Sequence, residues 1–141
     1  MSDSLIPKRL DHIGIAVRNV DVASKTYALL GFSLMSKEEV PEEGVKIAML
    51  NAGETRIELL EPLNSNSVIA KFLEKRGEGI HHIAFLYDDV KAAGRQASTR
   101  GFHLVYTEPK LIPKRREINF IHPGSTHGVL FELVRRFEPK S

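Results

Sequence analysis

The sequence contains an internal repeat, in which residues 81–106 match residues 11–36 at a constant offset of 70 residues without a gap. The matched pairs are His12 with His82, Ile13 with Ile83, Val20 with Val90, Ala23 with Ala93, Gly31 with Gly101, Phe32 with Phe102 and Leu34 with Leu104. A shared polarity pattern explains apolar matches, but the coincident histidines and glycines indicate two copies of one structural unit. We therefore expect a pair of similar modules.

Both copies predict the same opening elements: an alternating strand (12–17 and 82–87), a helix, a Gly-Phe pair and a second strand. The side chains able to cap the helices are Asn19 or Asp21 in the first copy and Asp88 or Asp89 in the second. The expected buried helix faces carry Ala23, Tyr27 and Leu30, and Val90, Ala93 and Ala97. Gly31 and Gly101 are expected to adopt the left-handed conformation that ends a helix.

Two more strands are predicted in each copy. In the first copy they are 45–50 and 56–60, joined by a hairpin turn at 51–54. In the second copy they are 117–122 and 129–134, joined through 123–126. A connecting helix is predicted over 67–76, because Ile69, Phe72, Leu73 and Arg76 have helical spacing and Gly77 follows.

These elements define an α+β chain of two β-α-β-β-β modules. The predicted organisation is a single domain over 1–141, with a first module at 8–63, the connecting helix within 64–78 and a second module at 79–137. Each module alone is too small to cover one face of its own sheet, so we expect the pair to bury those faces together.

Composition narrows the class of protein. The chain has 141 residues, enough for one domain, and 20 Lys and Arg against 18 Asp and Glu, which gives no general case for nucleic-acid binding. With no cysteine, thiolate catalysis and disulfides are excluded and a reducing compartment is favoured. The N-terminal residues lack the apolar segment of a signal peptide, and no apolar run is long enough to span a bilayer. We therefore expect a cytoplasmic protein without a membrane partner.

The last strands of the two copies match at an offset of 74, which aligns Glu58 with Glu132 inside otherwise apolar runs. Each module thus supplies one histidine, His12 or His82, and one glutamate. In the first strand His12 shares a face with Gly14 and Ala16, opposite the helix-facing side. An unpaired buried carboxylate is costly, and two imidazoles with two carboxylates suit a divalent ion. The alternative is that the glutamates face solvent and the histidines are hydrogen-bond donors in the core.

The sequence resembles the vicinal oxygen chelate superfamily and, within it, the methylmalonyl-CoA epimerase family. The segments that carry the resemblance are LDHIGIAV at 10–17, IELLEPL at 57–63, VIAKFLEKRGEGIHHIAF at 68–85, INFIHP at 118–123 and GVLFEL at 128–133. The His and Glu motifs are specific only to the superfamily, whereas GEGIHHIAF with INFIHP is closer to the epimerases.

The resemblance implies paired modules whose curved mixed sheet surrounds a metal site, usually in a homodimer. It implies one divalent ion (Co, Mn, Zn or Ni) bound by His12, Glu58, His82 and Glu132, and a small acyl-CoA substrate. The implied reaction inverts the α-carbon of methylmalonyl-CoA by metal-assisted proton abstraction.

Two positions depart from the family pattern. Ile47 stands where one branch of the family has a glutamate proposed as the base, so Glu132 becomes the first candidate for the base and Glu58 the second. The acid that acts on the opposite face of the substrate is not assigned to any side chain. A glycine-rich loop is replaced at 111–116 by LIPKRR, in which Lys114, Arg115 and Arg116 either bind CoA phosphates or form a solvated loop.

Two other functions remain open. A lactoylglutathione lyase of the glyoxalase type would use the same four ligands, and a drug-sequestering protein on the same scaffold would bind a small molecule. The complete His/Glu/His/Glu set disfavours the binding protein. Of the remaining histidines, His81 is expected to face the opposite way from His82, and turn or surface roles are expected for His103, His122 and His127.

Overall fold

The structure is a computed structural model that describes residues 3–137. Its strands are β1 (Arg9–Ala16), β2 (Ser33–Val40), β3 (Val45–Ala52), β4 (Thr55–Pro62), β5 (Gly79–Leu86), β6 (Lys110–Ile112), β7 (Arg116–Ile121) and β8 (Phe131–Arg136). Its helices are α1 (Val20–Ala28), α2 (Val68–Arg76) and α3 (Val90–Thr99). The chain divides into two compact units: a central unit, His12–His81, and a terminal unit, Met1–Asp11 with His82–Ser141.

The central unit contains strands in the order β2-β3-β4-β1. The β1/β4 pair is parallel, while β2/β3 and β3/β4 are antiparallel. One face of this sheet packs against α1, with a core of Val17, Val20, Ala48, Leu50 and Leu59. Because side chains alternate along a strand, His12 lies on the opposite face, as predicted.

Local polar groups set the bounds of α1 and of the β3–β4 hairpin. The side chain of Asn19 accepts a hydrogen bond from the Val22 amide, so Asn19 is the predicted cap of α1. In the hairpin, Gly53 has φ +80° and donates its amide to the side chain of Asn51 at 2.9 Å. The hairpin is confirmed, with both strands longer than predicted.

A turn that was not predicted links β2 to β3. A short 3₁₀ helix at Pro41–Glu43 ends at Gly44, which has φ +66°. A Cβ atom on Gly44 would lie 3.0 Å from the Cβ of Ser67. Both the backbone conformation and this contact therefore require glycine here.

The connecting helix is confirmed as α2. The Ser67 hydroxyl accepts a hydrogen bond from the Ala70 amide at 3.1 Å, and Gly77 ends the helix with its amide bonded to the Leu73 carbonyl. Ile69 and Leu73 are its buried residues.

The terminal unit contains strands in the order β5-β8-β7-β6. The β5/β8 pair is parallel, and the other two pairs are antiparallel. Asp89 caps α3 by accepting from the Ala92 amide. The core that includes α3 is formed by Tyr87, Val90, Ala93, Ala97, Ile121 and Leu133. The predicted buried face of this helix is confirmed.

Two local predictions are wrong. The second strand of the second copy does not follow Phe102 directly: the segment up to Pro109 has one isolated bridge, and the strand is only β6. The side chain of Asn119 bonds both the amide and the carbonyl of Tyr106 at 3.1 and 3.0 Å, and so replaces ladder hydrogen bonds there. Leu30, predicted on the buried face of α1, lies beyond the helix end and is 70% exposed.

The α+β class and the two β-α-β-β-β modules are confirmed by the order of elements. Gly31 and Gly101 have φ values of +98° and +94°, as the helix ends predict. Within residues 3–137, none of the helices has the length and apolar character needed to cross a membrane.

Candidate active site

The central unit buries an imidazole–carboxylate pair. In the parallel β1/β4 pair, Gly14 is the partner of Glu58, so His12, two residues before Gly14, projects from the same face as Glu58. His12 Nε2 lies 3.4 Å from Glu58 Oε1. The two residues are 1% and 3% exposed, so the site contains a carboxylate that is largely removed from water.

The terminal unit buries the equivalent pair. Ala84 is the partner of Glu132 in the parallel β5/β8 pair, and His82 projects from the same face. His82 Nε2 lies 2.9 Å from Glu132 Oε1, and both residues are at most 5% exposed. The ring of Phe120 meets the His82 ring edge to face, with centroids 5.7 Å apart. Phe120 therefore restricts the orientation of the imidazole.

The two pairs occupy repeat-equivalent positions and have the same chemistry. The alternative in which the glutamates face solvent is wrong, because Glu58 and Glu132 are 3% and 4% exposed. His12, His82 and Glu132 carry buried atoms of the kinds that bind metal ions. Imidazole nitrogen and carboxylate oxygen are ligands that divalent transition ions accept, so these residues fit the ion that the resemblance implies.

Ile47 lies on the same face of the central sheet as Glu58. In the antiparallel β3/β4 pair, Met49 is the partner of Glu58 and Ile47 is the partner of Leu60. Ile47 is 3% exposed. The position at which one branch of the family has a glutamate is thus an apolar, buried part of the sheet face that carries Glu58.

A buried ion pair that the sequence analysis missed lies in the terminal unit. Asp11, which directly precedes His12 in the chain, accepts hydrogen bonds from Arg136 Nε at 3.0 and 3.1 Å and from its Nη2 at 2.8 Å. The side chains of Asp11 and Arg136 are 0% and 10% exposed. This pair fixes the N-terminal part of β1 against β8 in the same unit.

The three basic residues of the 111–116 segment have different environments. Lys114 and Arg115 are exposed in the turn between β6 and β7, and Lys114 has φ +62°. Arg116 is the first residue of β7 and is 5% exposed. The solvated-loop alternative is therefore wrong for Arg116.

His81, His103 and His122 have local partners within their own units. His81 packs edge to face on Phe72, with ring centroids 5.0 Å apart. His122 Nδ1 accepts a hydrogen bond from the Gly124 amide at 3.2 Å, and the His122 amide bonds the His103 carbonyl. His127 has φ +59° in the turn before β8. His122 and His127 thus lie in the segment between β7 and β8, in agreement with the turn or surface roles expected for them.

The fold and the repeated His–Glu pairs correspond to one family. The chain belongs to the Glyoxalase/Bleomycin resistance protein/Dioxygenase superfamily, which it matches over residues 11–120. It is 36% identical to the ethylmalonyl-CoA/methylmalonyl-CoA epimerase of Cereibacter sphaeroides, with 89% of this chain and 96% of that protein covered.

Solved structures agree with this relationship. The crystal structure of methylmalonyl-CoA epimerase from Mycobacterium tuberculosis has 40% sequence identity and a TM-score of 0.87, and the match covers 96% of this chain and 91% of that one. A methylmalonyl-CoA epimerase in complex with methylmalonyl-CoA and NH4+ has 39% identity and a TM-score of 0.86, covering 92% of this chain and 95% of that one. The chain is an isomerase homologue with the fold of these enzymes.

Proposed function

We propose that this protein is an epimerase that interconverts the stereoisomers of methylmalonyl-CoA. The observation that carries the proposal is the pair of buried His–Glu contacts at repeat-equivalent positions, His12 with Glu58 and His82 with Glu132. The similarity to methylmalonyl-CoA epimerases over most of the chain supports the substrate.

The chemistry of the substrate defines what the site has to do. The proton on C2 of methylmalonyl-CoA lies between a thioester carbonyl and a carboxylate. When a base removes this proton, the C–H electron pair moves into the thioester carbonyl and gives an enolate. Returning a proton to the other face of C2 inverts the centre. The site therefore needs charge stabilisation at the enolate oxygen and proton-transfer groups at C2.

The residues that would hold a divalent ion are His12, Glu58, His82 and Glu132, and the ion would be Co, Mn, Zn or Ni. When bound, a divalent ion supplies positive charge that stabilises the enolate oxygen. His12 and His82 would contribute neutral imidazole nitrogens, while the two glutamates would offset the charge of the ion. Their burial keeps competing water away from the charged groups.

We assign Glu132 as the first candidate for the base and Glu58 as the second. A carboxylate can accept the C2 proton at one oxygen while its second oxygen stays bound to a neighbouring group. Glu132 Oε1 lies 2.9 Å from His82 Nε2, a shorter contact than the 3.4 Å between Glu58 and His12. This closer approach to the histidine of its own module would hold the Glu132 carboxylate beside the bound ion and leave its second oxygen for proton transfer.

The CoA phosphates would be bound by the turn between β6 and β7. Lys114 and Arg115 are exposed there and carry the charge that phosphate oxygens require. Arg116, also part of the sequence-based proposal, is buried at the start of β7 and would support the turn instead of meeting solvent-exposed phosphates.

The two alternative functions are not favoured. A lactoylglutathione lyase would share the His and Glu set, but the similar proteins described above act on acyl-CoA esters by name. A drug-sequestering protein has no need for two buried imidazole–carboxylate pairs.

We further propose a homodimer, as the resemblance implies, and a cytoplasmic location, which the absence of cysteine favours. Light scattering at micromolar concentration tests the dimer.

The base assignment is tested by comparing Glu132→Gln with Glu58→Gln. Glutamine offers a neutral oxygen but cannot accept a proton, so it separates ligation from base catalysis. We expect Glu132→Gln to keep its metal, measured by mass spectrometry, and to lose C2 proton exchange by about 10² to 10⁴-fold for the isomer whose C2 proton faces Glu132. Glu58→Gln is expected to retain exchange. A metal-loaded Glu132→Gln enzyme that exchanges both isomers at the wild-type rate contradicts the assignment.

A further inference from the structure

Inversion of C2 requires a second proton-transfer group in addition to the base. A single carboxylate reaches the planar enolate from one face, so it returns the proton to the face from which it came. Acidic side chains on the sheet face that carries His12 and Glu58 are the candidates for this group. The edge strand β2 carries two adjacent glutamates, Glu38 and Glu39.

The strand register places Glu38 on the same face as Glu58. Glu38 is the direct partner of Ile47 in the antiparallel β2/β3 pair. Ile47 in turn shares a face with Met49, the partner of Glu58 in β4. Directly paired and alternate residues project from the same side of a sheet, so Glu38 and Glu58 share one face. Glu39 projects from the other face.

An ion pair on the neighbouring residue supports this orientation. Lys37 Nζ lies 2.8 Å from Asp21 Oδ1, and Asp21 is in the first turn of α1. Because α1 packs on the face opposite His12 and Glu58, the Lys37 side chain points toward the helix side. The next residue, Glu38, therefore points toward the side of the imidazole–carboxylate pair.

Burial distinguishes Glu38 from its neighbours. The first five residues of β2 are exposed and so is Glu39, whereas Glu38 is half-buried and Val40 is buried. Adjacent strands are about 4.8 Å apart, and alternate residues along a strand are about 6.8 Å apart. Glu38 and Glu58 are separated by two strand spacings across the sheet and by two residues along it. Their Cα atoms are therefore about 12 Å apart. Glu58 belongs to the proposed ligand set, so this separation leaves room for a small acyl group between Glu38 and the ligands of the central unit.

We infer that Glu38 is the second proton-transfer residue of the epimerase, an inference that rests on the proposed function. In one direction the base takes the C2 proton as the C–H bond breaks. The protonated carboxyl of Glu38 then gives its proton to the other face of the enolate, a new C–H bond forms, and the thioester carbonyl is restored. In the reverse direction Glu38 is the base. Proton exchange with water returns both carboxyl groups to their starting states.

The test uses Glu38→Gln with Glu39→Gln as the matched control. Each stereoisomer of methylmalonyl-CoA is incubated separately with the metal-loaded enzyme in D2O. Chiral analysis measures inversion, and mass spectrometry measures deuterium at C2. For Glu38→Gln we expect inversion to fall by about 10² to 10⁴-fold in both directions. Deuterium should still enter the one isomer whose C2 proton faces the remaining base. Glu39→Gln is expected to match the wild type in both measurements.

Deuterium exchange that is kept for one isomer and lost for the other distinguishes a role in proton transfer from a structural role. A variant that was merely misfolded or short of metal would lose exchange of both isomers equally. That result for Glu38→Gln overturns the inference. Inversion within threefold of the wild-type rate overturns it as well. Glu38→Asp keeps a carboxyl group and is expected to recover part of the inversion that Gln loses. If the wild-type enzyme itself neither inverts nor exchanges either isomer, the proposed function fails, and that outcome is distinct from a failure at Glu38.

Discussion

Removing the buried charge of Asp11 is expected to be among the most destabilising conservative changes in the chain. Asp11 accepts three hydrogen bonds from Arg136, at 2.8 to 3.1 Å, and both side chains are nearly removed from water. Asp11→Asn preserves the shape but removes the buried carboxylate charge that pairs with the Arg136 guanidinium. Breaking a buried pair in this way costs about 3–5 kcal/mol. For a domain of this size, the unfolding midpoint should fall by roughly 10 to 20 °C.

Thermal and urea unfolding, followed by circular dichroism, measure this cost. The matched control is Asp3→Asn, because Asp3 pairs with Arg100 at 3.2 Å through side chains that are 43% and 52% exposed. An exposed pair contributes little, so the midpoint of this control should not change measurably. The double variant Asp11→Asn with Arg136→Gln removes both charges of the pair, so it should cost less than the sum of the two single variants. A loss below about 1 kcal/mol for Asp11→Asn would refute the argument from burial.

Three further outcomes are expected. Gly44→Ala should destabilise the protein by about 1–3 kcal/mol in urea unfolding, because it strains a left-handed residue and meets Ser67. Burial raises the pKa of Tyr87 above 10.0. Since the unfolded chain ionises first, stability should fall as pH rises from the unfolded pKa to the folded pKa, and Tyr87→Phe should reduce that fall in alkaline unfolding curves. Replacing Lys114 and Arg115 together with alanine should raise KM more than it lowers kcat in steady-state assays; an unchanged KM excludes them as phosphate ligands.

The candidate ligands were predictable because the repeat supplied information that single residues lack. A lone His12 or Glu132 is compatible with many roles, but coincidence at equivalent positions indicated a common set of two histidines and two glutamates, and in the structure each histidine contacts the glutamate of its own module. The alternation of side chains in β1 also predicted correctly that His12 faces away from α1. These features depend on local periodicity, which the sequence displays directly.

Features set by distant contacts were not predictable. Asp11 and Arg136 are 125 positions apart in the chain, so nothing local indicated their ion pair. Glu38 acquires its orientation only through the β2/β3 register, which depends on the 3₁₀ turn ending at Gly44. The second copy has a short β6 because the Asn119 side chain occupies the backbone groups of Tyr106. Each of these features depends on a contact or a turn that the local pattern of residues does not display.

Conversion of a single stereoisomer of methylmalonyl-CoA by the metal-loaded wild-type protein in D2O tests the central claim most directly. Chiral analysis and mass spectrometry of the CoA ester follow the reaction, and the glutathione hemithioacetal of methylglyoxal serves as the competing substrate. The account predicts an equilibrium mixture of the two isomers, with deuterium at C2, and no comparable turnover of the hemithioacetal. An enzyme that leaves the configuration and the C2 proton unchanged, or that turns over only the hemithioacetal, would contradict it.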